Sequence, residues 1–95
     1  MARNETLTLT AGVWNEITNA DVSSITFQNI SPYPAFVAAT SGAAPTSTDP
    51  EDAIRYNPGQ GERNVQLADL FPGVVGASRV FVYSDGVATV FVSHA

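Results

Sequence analysis

From Thr6 to Thr10 the chain reads Thr-Leu-Thr-Leu-Thr, an alternation of period two that predicts a strand wet on one side. Ala11-Gly12 breaks the pattern. Val13 to Thr18 resumes it, with Val13, Asn15 and Ile17 on one face and Trp14, Glu16 and Thr18 on the other, so the two segments predict a first hairpin. Asn19-Ala20-Asp21 is punctuation, and Val22 to Asn29 predicts a third strand whose Ile25 and Phe27 share a face. The prolines of Ser31-Pro32-Tyr33-Pro34 have no N–H to give to a sheet ladder, which makes this a strand edge or connection. Ala35 to Thr40 is a short apolar strand. Ser41 to Asp52 is small, polar and proline-containing and predicts the longest loop, one that projects. Ala53 to Tyr56 returns as a strand, Asn57-Pro58-Gly59-Gln60-Gly61 is a turn by composition, and Arg63 to Leu67 is again extended. Leu67 to Pro72 predicts one helical turn, stopped by Pro72-Gly73.

The closing segment, Arg79 to His94, is the most informative. Two alternating runs flank Asp85-Gly86, the dipeptide that suits a two-residue type I′ turn with φ > 0 at both central positions. A hairpin closed there pairs Ser84 with Val87, Val82 with Thr89 and Phe81 with Val90. Val80, Val82, Val87, Thr89 and Phe91 then line one face, and Phe81, Tyr83, Ala88, Val90 and Val92 the other. Both faces are apolar, whereas an ordinary antiparallel surface hairpin is wet on one side. The expectation is therefore double cover: Val80, Val82 and Phe91 against the domain core, and Arg79, Phe81, Tyr83, Val90 and Val92 against another copy of the chain or a larger assembly, with Arg79 as a polar rim; the reverse assignment of the two faces stays open at the level of sequence.

Seven or eight short strands with turn signals between them, and no 3.6-residue periodicity of any length, predict an all-β fold, a small antiparallel sandwich or barrel. The 95 residues read as a single β domain, 1–95, with a short polar N-terminal arm over about residues 1–5. The area scaling laws give a domain of 10.0 kDa roughly 64% burial of its extended-chain surface, a modest core. There is no cysteine to add a disulfide or a thiolate metal site, so association is the simplest source of further stability.

Charge narrows the functional classes. Nine Asp and Glu stand against four Arg, with no Lys, for a net charge of −5. Nucleic-acid binding relies on a basic surface that displaces counterions, and an anionic membrane attracts the same kind of surface, so neither is an expected partner. Charged residues make up 14% of the chain against about 25% in ordinary domains, and Thr, Ser, Ala and Val fill the gap, a palette suited to β-structure that packs on protein. The N-terminal Met1-Ala2-Arg3-Asn4-Glu5 has no apolar h-region, no run approaches a membrane span, and synthesis in the cytoplasm is expected.

Candidate chemistry is sparse. The one histidine, His94, follows Ser93 directly, and neighbours on a strand point to opposite faces, so they do not make an activated nucleophile pair. Asp49, Glu51 and Asp52 gather carboxylates in the long loop, but at no EF-hand spacing, and read as a solvated acidic loop. Pro58-Gly59-Gln60-Gly61 lacks the Gly-Lys-Ser/Thr ending of a phosphate loop and reads as a turn. Trp14, Tyr33 and Tyr56 are the residues able to stack on sugar rings, with a packing role for Trp14 the favoured reading. No enzymatic activity, cofactor or metal is expected.

In order along the chain, Leu9-Thr-Ala-Gly-Val-Trp-Asn-Glu-Ile-Thr-Asn19, Ile25-Thr-Phe-Gln-Asn29, Gly59-Gln-Gly-Glu-Arg63, Leu70-Phe-Pro-Gly73 and Val92-Ser-His-Ala95 resemble small virion proteins of tailed bacteriophages. The resemblance spans nearly the whole chain in short phrases without a diagnostic motif. It implies an all-β, non-enzymatic protein on the head exterior: a capsid decoration, or cement, protein that forms a homo-oligomer, a homotrimer in particular, and contacts the major capsid protein. The other role it implies is a tail or head fibre component, including a host-glycan binding module. It transfers no functional residue.

Overall fold

The computed structural model describes residues 2–46 and 52–95. Eight strands form: β1 (Arg3–Thr8), β2 (Trp14–Glu16), β3 (Ser24–Asn29), β4 (Ala35–Thr40), β5 (Ile54–Tyr56), β6 (Gly61–Gln66), β7 (Arg79–Tyr83) and β8 (Thr89–His94), with a single helical turn, α1 (Leu67–Leu70), after β6. They make two antiparallel four-stranded sheets, ordered β1-β8-β3-β6 and β2-β7-β4-β5. The fold is the expected all-β sandwich, and the barrel alternative does not form.

Neither expected hairpin forms. β1 pairs with β8 in the first sheet and β2 with β7 in the second, so Gly12 and Asp85-Gly86 each sit where the chain crosses from one sheet to the other. The N-terminal and C-terminal crossings are paired to each other along their length. Leu9 N donates to the Ala88 carbonyl at 2.8 Å, Gly12 N to Ser84 at 2.8 Å and Ile17 N to Val80 at 3.0 Å. Gly12 takes φ +76°, but Asp85 and Gly86 are not among the residues with positive φ, so the type I′ geometry is not used. The physical reason lies in burial. β7 and β8 each carry an inward row of valines, and two sheets facing each other bury both rows in one core, which a single hairpin cannot do.

That core runs between the sheets. Val80, Val82, Val37, Ala35 and Tyr56 come from one side and Ile25, Phe27, Val90 and Val92 from the other, closed by Leu9, Ile17, Leu67 and Ala88. Phe27 and Tyr56 meet edge to face, with ring centroids 5.0 Å apart. The predicted polar arm is also revised. Arg3, Asn4 and Glu5 belong to β1, with Arg3 opposite His94, and the Arg3 Nη1 donates across the sandwich to the Ile17 carbonyl at 3.2 Å.

β6 is an edge strand with an irregularity. Ile25 pairs with Val65 and Phe27 with Glu62, so one residue of β3, Thr26, faces two of β6, Arg63 and Asn64. The extra residue is a β-bulge, marked by Asn64 at φ +43°, whose N–H leaves the ladder and donates to Thr26 Oγ1 at 2.8 Å. Bulges of this kind bend an edge strand away and re-aim its side chains.

Candidate functional site

The residues expected to share one interface do not share a face. Val90 and Val92 are 1% and 0% exposed and point inward from the first sheet. Arg79, Phe81 and Tyr83 stand on the outer face of the second sheet. Without the hairpin register there is nothing to align the two sets. Phe91, expected in the core, faces outward, since it is opposite Thr6 and Gln28 and alternates with the buried Val90 and Val92.

The second apolar side of β7 is covered by the chain itself. Phe81 and Tyr83 are buried although they lie outside the core between the sheets. Across the ladder Tyr83 is flanked by Trp14 and Phe36, and Phe81 by Glu16 and Ala38. The Trp14 and Tyr83 rings are tilted at 57° with centroids 5.6 Å apart, and Ala44, Pro45 and Thr46 of the long loop join them around an open cavity of about 260 Å³. Arg79 is also engaged. Its Nε donates to Asp21 Oδ1 at 2.7 Å and its Nη1 to Glu16 Oε2 at 3.1 Å, and these carboxylates, Asp21 foremost, hold the guanidinium more firmly protonated. Glu16 in turn accepts from Thr18 Oγ1 at 2.8 Å.

The exposed apolar surface lies elsewhere. The registers place the connections 9–13, 30–34, 57–60 and 84–88 at one end of the sandwich. That end carries Val13, Ile30, Tyr33 and Val87, 48%, 47%, 45% and 62% exposed, which are four of the five large apolar side chains exposed among the described residues; the fifth, Val75, lies at the other end. The connection 30–34 is held from beneath by Asn29, which is 1% exposed. Its Nδ2 donates to the carbonyls of Tyr33 at 2.7 Å and Tyr56 at 3.1 Å, and its Oδ1 accepts from the N–H and hydroxyl of Ser31 at 3.1 and 2.8 Å. Every hydrogen-bonding site of the amide is used, so the connection carrying Ile30 and Tyr33 is rigid where it meets solvent. No periodicity marks this site, because each of its residues sits in a turn and reads alone as an unremarkable exposed apolar residue.

The remaining candidates separate. Tyr56 is buried on the inner face of the second sheet, where burial first, and then the hydrogen bond to Glu62, raise its phenol well above the usual range. Trp14 is on the outer face of that sheet and Tyr33 among the end loops, so the three aromatics form no common platform. Ser93 faces outward and His94 inward; the His94 Nδ1 lies 3.0 Å from the Ala95 carbonyl and its buried Nε2 has no hydrogen-bond partner among the described residues. Asp49 and Glu51 lie outside the described residues. Among the described residues no group of three His, Cys, Asp or Glu is placed to hold a metal ion, and no helix is long and apolar enough to cross a membrane. Pro58-Gly59 is a turn leading into β6, with Gly59 at φ +87° and its N–H donating to the Asn29 carbonyl at 2.7 Å.

Comparison of the chain with protein families, with curated proteins and with solved structures returned no match.

Proposed function

We propose that this protein is a non-enzymatic virion component of a tailed bacteriophage, a capsid decoration protein that docks on the major capsid protein through the apolar loop end. The observation that carries the reading is the gathering of Val13, Ile30, Tyr33 and Val87 at one end of the sandwich, with the connection that carries Ile30 and Tyr33 fixed by Asn29. The phrase-level resemblance supplies the class of partner, and the acidic, lysine-free composition accords with a protein surface rather than nucleic acid.

Energetics favour several copies acting together. Burying a large apolar side chain contributes about 1.5–3 kcal/mol, so these half-exposed residues contribute about 1 kcal/mol each. Four of them roughly match the low end of the 4–15 kcal/mol that association costs. One patch alone therefore binds weakly, and a homotrimer that presents three at once gains from effective concentration.

The test is to heat virions with and without the protein and follow DNA release. Particles lacking it should assemble and release DNA at lower temperature, and the double variant Ile30→Asp/Val87→Asp should fold yet fail to remain on heads. Equally heat-stable particles that no longer adsorb to cells would reject decoration and support the fibre reading.

A further inference from the structure

We propose that the outer face of the β1-β8-β3-β6 sheet binds a neutral oligosaccharide in the cleft beneath the β6 bulge, with Phe91 as its stacking platform. The surface is separate from the apolar loop end and does not depend on the role proposed for it. The outward residues of β1, β8 and β3 are threonines, serines, an asparagine and a glutamine, with one exception. That exception is Phe91, between Thr6 and Gln28 and next to the row of Ser93 and Thr26. A half-buried ring amid neutral polar side chains has no packing role in the core, and it lines an open cleft of about 280 Å³ whose other walls include Thr26, Gln28, Gly61, Glu62 and Arg63.

The bulge builds this cleft. It sets Arg63 and Asn64 against the single residue Thr26, and Arg63 lines the cleft beside Thr26 and Gln28. Gln28 and Thr26 are oriented by bonds that leave one valence each for a ligand. Gln28 Nε2 donates to the Gly59 carbonyl at 3.0 Å, which leaves its Oε1 to accept. Thr26 Oγ1 accepts from Asn64 N at 2.8 Å, which leaves its proton to donate. Glu62, opposite the core residue Phe27, turns its carboxylate inward to accept from the Tyr56 hydroxyl at 3.1 Å. Arg63 makes no ion pair among the described residues. Donors and acceptors are thus mixed and fixed beforehand, which lowers the ordering cost of binding.

An aromatic face set among such groups suits a pyranose, whose C–H face packs on the ring while its hydroxyls both donate and accept. A nucleotide strand could also stack on Phe91, but a chain of net charge −5 without lysine repels its phosphates. The cleft is just below the roughly 300–1,000 Å³ of typical small-molecule sites. It therefore takes a single ring of a longer chain, whose remainder runs over the hydroxyl-rich face of β8 and β1.

The test is titration of the isotope-labelled protein with four neutral hexasaccharides, built of glucose, galactose, mannose and N-acetylglucosamine, followed by amide NMR. At least one should shift the amides of Thr26, Gln28, Gly61, Glu62 and Phe91. Phe91→Ala should weaken that binding by about tenfold or more. The double variant Gln28→Ala/Arg63→Ala, altered only at exposed positions, should weaken it comparably with an unchanged far-UV spectrum, and it decides the matter should Phe91→Ala unfold. Absence of shifts in the cleft with all four sugars, shifts confined to Trp14 or Tyr33, or undiminished binding by a folded variant would each overturn the proposal.

Discussion

The Asn29 side chain donates to the Tyr33 carbonyl at 2.7 Å, closing the Ile30–Pro32 connection onto the end of β3. The Tyr33 ring in turn lies against Gly86, where an added β-carbon would come within 2.7 Å of it. Through this pair, the strand that carries Asn29 sets the position of the crossing between β7 and β8. The glycine of Asp85-Gly86 is thus needed for close approach by an aromatic ring, not for a positive φ.

Asn29→Ala should therefore be severely destabilising. It strands the Tyr56 carbonyl and the Ser31 N–H and takes one of two bonds from the Tyr33 carbonyl, which keeps the Ser31 hydroxyl at 3.1 Å, and buried groups left unpaired cost about 1–3 kcal/mol each. Urea denaturation should show a loss of about 3 kcal/mol or more. A loss under about 1 kcal/mol would show that the loop holds itself without the amide.

Val90→Asp and Val92→Asp should unfold the domain, because each places an unpaired carboxylate in the core, a change in the class that exceeds about 4–5 kcal/mol. Phe91→Asp, one residue away on the outward face, should remain folded with a loss of about 1–2 kcal/mol. Far-UV circular dichroism of the three variants distinguishes this order from its inverse, the order expected with Phe91 in the core and Val90 and Val92 at an interface.

Tyr56 makes stability depend on pH at the alkaline end. Burial and the Glu62 carboxylate raise its folded pKa, while in the unfolded chain it titrates near about 10. The native state therefore holds the proton that the unfolded state releases. The contribution is fully present below about pH 10 and is lost as pH rises beyond it. Tyr56→Phe should be less stable than wild type at pH 7, by about 1–3 kcal/mol for a hydrogen bond to a charged group. The gap should close in denaturation curves taken above pH 10, and a gap that widens there would refute the assignment.

Gly61→Ala should disrupt the junction of β6 with β3. A β-carbon at this position would overlap the Phe27 carbonyl and approach the Gln28 Cα to 2.7 Å, and these are backbone atoms with no rotamer to escape into. We expect a loss of more than about 2 kcal/mol and changed amide shifts in Thr26 and Asn64. An unperturbed melting temperature would mean that the β6 edge yields freely.

Local pattern alone was enough to find the strands. Ala35–Thr40, Arg79–Tyr83 and the turn at Leu67–Leu70 are written in alternation, in β-branched and aromatic content and in the prolines and glycines between them, all properties of residues close in sequence. The alternation also sorted the residues of β2, β7 and β8 into two faces correctly. The same chemistry left the apolar loop end and the Phe91 cleft unread, because their residues come from separate turns and strands and carry no common period.

Which face turned inward, and which strand lay beside which, was decided only by the tertiary structure. In a hairpin, Phe81 and Val90 would be cross-strand partners, and one register would tie the faces of β7 and β8 together. Once the chain crosses between sheets at Asp85-Gly86, that tie is gone, and Val80 and Val82 can face Val90 and Val92 across the core. The preference of two turn residues is worth on the order of 1 kcal/mol, while each inward valine adds about 1.5–3 kcal/mol. The sequence thus determined strands, faces and turns, and the sum of non-local burial determined how they were paired.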